Sequence, residues 1–508
     1  MSIAARGQLS TAVPLNDGTL ESYANRVDVP TYDRHRLKRS IVHIGMGNFH
    51  RGHQAVYLDD LACLGVSQDW GLTGISLRHG RTKELLAGQD GLYTVVQRGR
   101  QRDTARVVGS IGRWHYAAED KSAVLSALAD EATRLVTLTI TGDGYCLDNR
   151  TGEFDFTRND VGSDLSIPNH FSTTWAYLAE ALSRRRRAGL PPFTVMSCDN
   201  VPENGKAART ALVSFATLRD PSLGRWIERH VAFPSTMVDR ITPATTWAEK
   251  RFVERSFGIV DACPVIAEPF RQWIIEDTFC DGRPPLEEVG VDFVDDVSGH
   301  KLIKTRLLNG MHTAMAYLAT LAGYEKVNEA VGDPVLSRYL HQLMQEEVAP
   351  LLPAVSGIDV QDYCSTTLDR FRNPRISDRL SRLAARGSDK MPAYLLPSLH
   401  EAIAAGRPHT LLMLAVAGWA RYLRGTDLLG HDIDIQDSQA DLLKTLATLG
   451  KSYPDPLLRN QVVFKDLRLV PGFVERLGQM IDSIDSHGVA ATLRRYMTED
   501  NLRQMVGQ

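Results

Sequence analysis

Three polar residues interrupt an otherwise apolar run in the second half of the chain: Lys304, Asn309 and His312, set among Leu302, Ile303, Leu307, Leu308 and Met311. On an α-helix, at about 100° per residue, they fall at roughly 0°, 140° and 80° and so share one face. Those residue types suit proton and oxyanion chemistry. A lysine acts as a general base when burial lowers its pKa towards the working pH. A neutral amide donor stabilises charge developing on oxygen. On geometry alone the trio reads equally as a catalytic face and as a polar stripe facing water.

A second constellation lies far upstream. The apolar segment Ile41–Ile44 runs into Gly45-Met46-Gly47-Asn48-Phe49-His50. In a dinucleotide-binding βαβ unit the first glycine permits the tight turn after the strand. The second lets a pyrophosphate approach the backbone. The third glycine of the usual fingerprint is absent, because His50 occupies its place. The acid expected after the second strand, to hold the ribose of NAD, is also absent. That loop reads Arg78-His79-Gly80-Arg81. The two arginines suit a 2′-phosphate or are solvated loop charges, which leaves NAD against NADP open.

The elements that must position these groups follow from apolar patterning. Strands are expected at Ile41–Gly45, Trp70–Leu77, Leu92–Val96, Leu135–Thr141 and Phe193–Cys198. Helices are expected between them, notably Gly52–Leu64 and Ser172–Arg187. Alternating β and α elements predict a parallel, doubly wound α/β sheet of Rossmann type. Beyond about residue 296 the pattern is helical, with segments at Lys301–Gly323, Asp333–Leu351, His409–Arg424 and Ser438–Leu449. A boundary near Ser298-Gly299 therefore separates a dinucleotide-binding domain (1–296) from a mainly α-helical substrate domain (297–508). Residues 1–38 read as a polar N-terminal arm.

Composition narrows the classes. The 508 residues carry a formal net charge of -3, which gives no general electrostatic reason to bind nucleic acid or an anionic membrane. The one basic run, Arg184–Arg187, reads as a solvated helix end followed by Gly189. No apolar run is long enough for a membrane span, and Met1–Ser10 lacks the apolar core of a secretory signal. Six cysteines without a CxxC pair fit a reduced, cytoplasmic protein.

Two other nicotinamide-linked chemistries lack the residues they require. None of the 15 tyrosines has a lysine four residues on, as a short-chain enzyme requires. The scattered cysteines offer no zinc cluster, and His43, His50 and His53 read as shaping the strand–helix junction.

The segment Ile41 to Gln54 closely resembles the signature of the mannitol dehydrogenase family, GxGxFHRAHQ, with Gly52 where alanine is usual. Four further blocks resemble the family in the same order. They are Ser197-Cys198-Asp199-Asn200 with Asn204-Gly205, Met237 to Pro243, Glu268-Pro269-Phe270, and Lys304 with Leu307 to Gly310 and His312. The resemblance covers roughly residues 30 to 490. It implies a Rossmann domain followed by a helical substrate domain, an active site between them, and a monomer. It implies hydride transfer between a polyol and NAD, without a metal, giving the ketose. D-mannitol and D-fructose are the first expectation, with fructuronate reductase and D-arabinitol dehydrogenase as alternatives. A non-catalytic dinucleotide sensor would not need Lys304, Asn309 and His312.

By the same resemblance Lys304 is the base, Asn200 and Asn309 are the oxyanion donors, and His312 orients the substrate. Asp239, Arg382 and Lys390 contact the substrate, while Gly45, Gly47, Asn48, Phe49 and Arg78 contact the cofactor. Two residues depart from the family pattern. Lys301 stands where many members have glutamate, and Gly142 replaces the glutamate of a Thr-Glu block, with Asp143 next door as its substitute.

Overall fold

Five short segments, all wholly buried except the third, order the first half of the chain: β1 (Ile41–Ile44), β2 (Leu72–Ser76), β3 (Ile111–Tyr116), β4 (Leu135–Leu138) and β5 (Thr194–Ser197). They form one parallel sheet in the order β3-β2-β1-β4-β5. The computed structural model describes residues 12–148, 151–376 and 378–506, with side chains to residue 497.

Successive residues of β1 point into different cores. Val42 and Ile44 pack with Trp175 and Leu178 of α4 (Thr174–Arg187) and with Ala208 and Leu212 of α5 (Asn204–Arg219). Ile41 packs with Tyr57, Leu58 and Leu61 of α2 (Gln54–Cys63). Burial on both faces explains why these strands read as apolar runs rather than as alternation. Each fully buried Ile, Val or Leu contributes about 1.5–3 kcal/mol. The helix α4 starts where the Thr173 hydroxyl accepts the Ala176 N–H at 3.2 Å.

Three expectations are corrected. The strand expected at Leu92–Val96 exists as Tyr93–Arg98 but lies outside the parallel sheet. It pairs antiparallel with Asp103–Val108 and parallel with Val265–Ala267. Only residues 99–102 join the antiparallel pair, too short for a parallel crossover. The edge strand β3 was not expected, because Arg113 and His115 give its sequence no apolar run. The polar arm is not detached. Residues 1–11 lie outside the described residues, but Val13–Pro14 pairs with Ile259–Val260, and Leu15, Tyr23 and Val27 are buried against Leu92, Val96 and Val253.

Arg185 also departs from the solvated helix end expected for its run. It is fully buried, with Nε donating to the Pro191 carbonyl at 2.7 Å and Nη1 to that of Asp130. All six cysteines are free thiols. Among the described residues no helix is long and apolar enough to cross a membrane.

The chain divides into two units, one ending at Ser298 and the other beginning at Gly299. The second is built from helices around one apolar core that runs from Ile303 to Met497. Its first long helix departs from the continuous one expected at Lys301–Gly323. An α-helical turn, Ser298–Ile303, passes into a π-helical stretch, Lys304–Asn309, and then into α6 (Gly310–Leu321).

Candidate active site

The glycine turn after β1 opens onto a cavity of about 390 Å³ at the carboxyl ends of β1, β2 and β4. Gly45 has φ +107, and a Cβ there would strike the Thr139 carbonyl. Only glycine meets both conditions. The Gly45 carbonyl accepts from Thr139 Oγ1 at 2.6 Å and faces His43 Nε2 at 3.0 Å, which pins the turn to β4. At Gly47 an added Cβ would meet nothing within 4 Å, so the backbone there borders open space. These are the requirements for a backbone that a pyrophosphate approaches closely. The volume lies within the ~300–1,000 Å³ usual for small-molecule sites.

Gly45, Gly47 and Arg78 line this cavity. Asn48 and Phe49, expected with them, do not, because their side chains secure the junction instead. Asn48 Nδ2 donates to the Pro243 carbonyl at 3.3 Å and to Thr245 Oγ1 at 3.2 Å, and its Oδ1 accepts from Arg51 at 2.7 Å. Phe49 stacks on His53. Ser76, Thr139, Thr141, Thr173 and Thr174 also line the cavity and were not anticipated. The Ser-Thr-Thr cap ahead of α4 was the available signal for the last two.

Arg78 Nη2 stands 3.4 Å from an oxygen of Asp143, whose other oxygen accepts from Arg158 at 2.8 Å. Arg158 also holds Asp160 through two hydrogen bonds, at 3.1 and 3.0 Å. The Arg158 hydrogen bond, aided by Arg78, keeps the Asp143 carboxyl below its usual range. Asp143 is therefore committed to two arginines at the cavity rim. Arg81 does not line the cavity.

The histidine junction is fully buried. His43 stacks on His50, and its Nδ1 lies 2.7 Å from Thr137 Oγ1. His53 Nε2 lies 2.9 Å from the Gln272 carbonyl, and its Nδ1 faces Gln54 Nε2. That network assigns the neutral Nε2–H form to His53. Burial pushes His43 and His53 down to about 3 and His50 well below its ordinary value. Two of the other sequence blocks lock onto this junction. Arg240 donates from Nη1 to the Gly52 carbonyl at 2.5 Å and from Nε to that of Glu268 at 3.0 Å. Gly52 suits this contact, since an added Cβ would sit 3.0 Å from methyls of Thr242 and Val265.

Asp239, which ends the strand Thr236–Asp239, is buried. Asn200 is exposed just beyond β5. Its neighbour Asp199 accepts the Ile140 and Thr141 N–H groups, both at 2.9 Å, and fixes the loop that carries Asn200. The buried Asn204 braces the same loop, with Nδ2 donating to the Asp199 carbonyl at 3.0 Å. Arg271 pairs with Asp60 at 2.6 Å and lies over the Tyr57 ring.

In the second unit Lys304 is buried at the start of the π-helical stretch, and Asn309 is half-buried at its end. The i→i+5 bonding of that stretch replaces the regular 3.6-residue period on which the shared face was drawn. Such widened turns are frequent at functional sites. The stretch packs against two others of the same kind, Leu343–Val348 and Met391–Leu395. His312 stacks on Phe371, with centroids 4.2 Å apart. Arg382 is exposed and holds Asp378 through two hydrogen bonds, at 2.7 and 2.6 Å. Lys390 Nζ donates to the carbonyls of Arg382 at 3.1 Å and Leu383 at 2.8 Å. Burial, with the nearby Arg382 and Arg386, lowers its ammonium to about 8.

Two family descriptions match the chain: the mannitol dehydrogenase Rossmann domain over residues 39–288, and the mannitol dehydrogenase C-terminal domain over residues 296–485. The chain is 42% identical to mannitol dehydrogenase 2 of Saccharomyces cerevisiae over 495 residues, 96% of this chain and 99% of that one. It is 40% identical to the Pseudomonas fluorescens mannitol 2-dehydrogenase solved as a ternary complex with NAD and D-mannitol. The TM-score is 0.85, over 96% of this chain and 100% of that one. The chain belongs to the mannitol dehydrogenase family. A D-sorbitol dehydrogenase in substrate-free form is also similar, at 34% identity and TM-score 0.89, over 95% of this chain and 100% of that one. Membership in the mannitol dehydrogenase family accounts for the presence of the five sequence blocks. Four of them build or brace the glycine turn and the β5 loop, and the fifth carries the α–π–α helix.

Proposed function

We propose that this chain is an NAD-dependent, metal-independent polyol dehydrogenase that interconverts D-mannitol and D-fructose. The observation that carries the reading is the 40% identity, along nearly the whole chain, to a mannitol 2-dehydrogenase solved with NAD and D-mannitol. The residues present fit the cofactor, since Gly45 and Gly47 leave the backbone bare beside a cavity that Arg78 and Thr139 also line. NAD supplies the hydride acceptor when bound.

The chain's own groups then divide the work. Lys304, buried at the start of the π-helical stretch, takes the proton of the reacting hydroxyl. Asn200 and Asn309 donate hydrogen bonds to the oxygen as charge develops on it. His312, fixed by its stack on Phe371, orients the substrate. Asp239, Arg382 and Lys390 hold its remaining hydroxyls. The ion pair of Arg271 with Asp60 favours a neutral polyol over a hexuronate, because it occupies the arginine that would meet a carboxylate. The six free thiols suit a cytoplasmic protein, and we take the working form to be a monomer.

A panel of D-mannitol, D-sorbitol, D-arabinitol and, in the reverse direction, D-fructose and fructuronate, each with NAD and NADP cofactors, tests this reading. The highest kcat/KM should fall on mannitol and fructose with the NAD pair. Efficient fructuronate reduction with fructose inert would overturn it.

A further inference from the structure

The cofactor cavity lies at the carboxyl ends of the strands, but a second group of basic side chains gathers at their amino ends. Lys38 and Arg39 precede β1, and Thr133 precedes β4. Together with Arg113 and His115 of the edge strand β3 they line a second cavity of about 200 Å³. Arg113 and His115 alternate along β3 and therefore share one face, and Arg113 stands in register with Thr73 of β2, which also lines the cavity.

Several acceptors around this cavity are engaged. The Asp130 carboxylate takes the Ala132 N–H at 2.9 Å, and the Asp130 carbonyl takes Arg185. The Ala127 carbonyl takes the Thr133 hydroxyl at 2.8 Å. Lys38 is held by Asp69 at 2.6 Å. The donors left over are Arg39, Arg113 and His115. Arg39 Nε is buried and bonded to nothing among the described residues. Arg113 carries no ion pair among them. Burial lowers the Arg39 guanidinium, and the adjacent Arg113 lowers it further. His115 is lowered in the same way, by burial first and by Arg113 second. A buried guanidinium N–H without an acceptor is destabilising. Two forked cations and an imidazole around one small cavity match a tetrahedral oxyanion.

We propose that this pocket binds a small oxyanion of the phosphate class, at a site separate from the dinucleotide cavity. The test is calorimetric titration of the full-length protein with inorganic phosphate, at saturating NAD and constant ionic strength. One saturable site is expected. Arg113→Gln and Arg39→Gln should each weaken binding by at least about tenfold while leaving kcat on the polyol unchanged. Arg113 is exposed, so its variant tests the proposal even if Arg39→Gln fails to fold. Absence of a saturable heat, or equal affinity in Arg113→Gln, would overturn the proposal. So would loss of binding when NAD saturates the protein, which would place the phosphate in the dinucleotide cavity.

Discussion

The imidazoles of His43 and His50 stack face to face, their centroids 3.4 Å apart and their planes 8° from parallel. Two charged rings would repel at that distance, and burial already holds both neutral. The sign of the pH effect follows. An unfolded histidine takes up a proton below about pH 6.5, whereas folded His43 and His53 resist until about 3. Stability is therefore full above pH 6.5 and is lost as the pH falls towards 3. At about pH 5 each of these histidines removes on the order of 2 kcal/mol. Urea midpoints at about pH 7 and pH 5 should differ accordingly, and His43→Gln should narrow the gap. Equal midpoints would refute the buried neutral junction.

Arg271 pairs with Asp60 at 2.6 Å and covers the Tyr57 ring at 4.2 Å. The acids nearer in sequence are engaged elsewhere: Glu276 accepts the Ser235 N–H and Asp277 pairs with Arg283. Arg271→Ala should lower stability by about 1–2 kcal/mol and move the KM for D-mannitol by less than about twofold. A large rise in that KM with unchanged stability would assign Arg271 to the substrate instead.

Asp143 balances Arg78 at the rim of the dinucleotide cavity. Replacing it with asparagine frees the guanidinium to meet a 2′-phosphate. Asp143→Asn should raise kcat/KM for NADP relative to NAD by about three- to tenfold, and Arg78→Ala should reverse the gain. An unchanged cofactor ratio in both variants would show that other residues read the ribose.

Lys390 titrates at about 8, because burial and two neighbouring arginines oppose its charge. The rate of its acetylation, followed by mass spectrometry across pH, should reach half-maximum near that value. A half-maximum near the ordinary lysine value of about 10.4 would contradict the buried position of its ammonium.

Much of this was legible in the sequence where one local rule decided the outcome. The strands β1, β2, β4 and β5 are apolar because both their faces are covered. Gly45 announces a turn that needs positive φ. Edge strand β3 was hidden because one of its faces carries Arg113 and His115, which breaks the apolar run. The pairing of Tyr93–Arg98 was hidden because strand propensity does not specify a partner. The π-helical stretch from Lys304 to Asn309 leaves no mark in composition, since it widens a helix whose residues are ordinary helix formers. The ties of Arg240 to Gly52 and of Arg271 to Asp60 join residues 188 and 211 positions apart, a separation at which spacing carries no information.

The central claim, that Lys304 serves as the base in NAD-linked polyol oxidation, meets its most direct test in one assay. Reduction of NAD by D-mannitol is followed spectrophotometrically for the parent protein and for Lys304→Ala, at matched cofactor saturation. The parent should turn over steadily and yield one D-fructose per NAD reduced. The variant should bind NAD normally and turn over at least ~10²-fold more slowly. A Lys304→Ala protein that oxidises mannitol at nearly the parent rate would contradict the account.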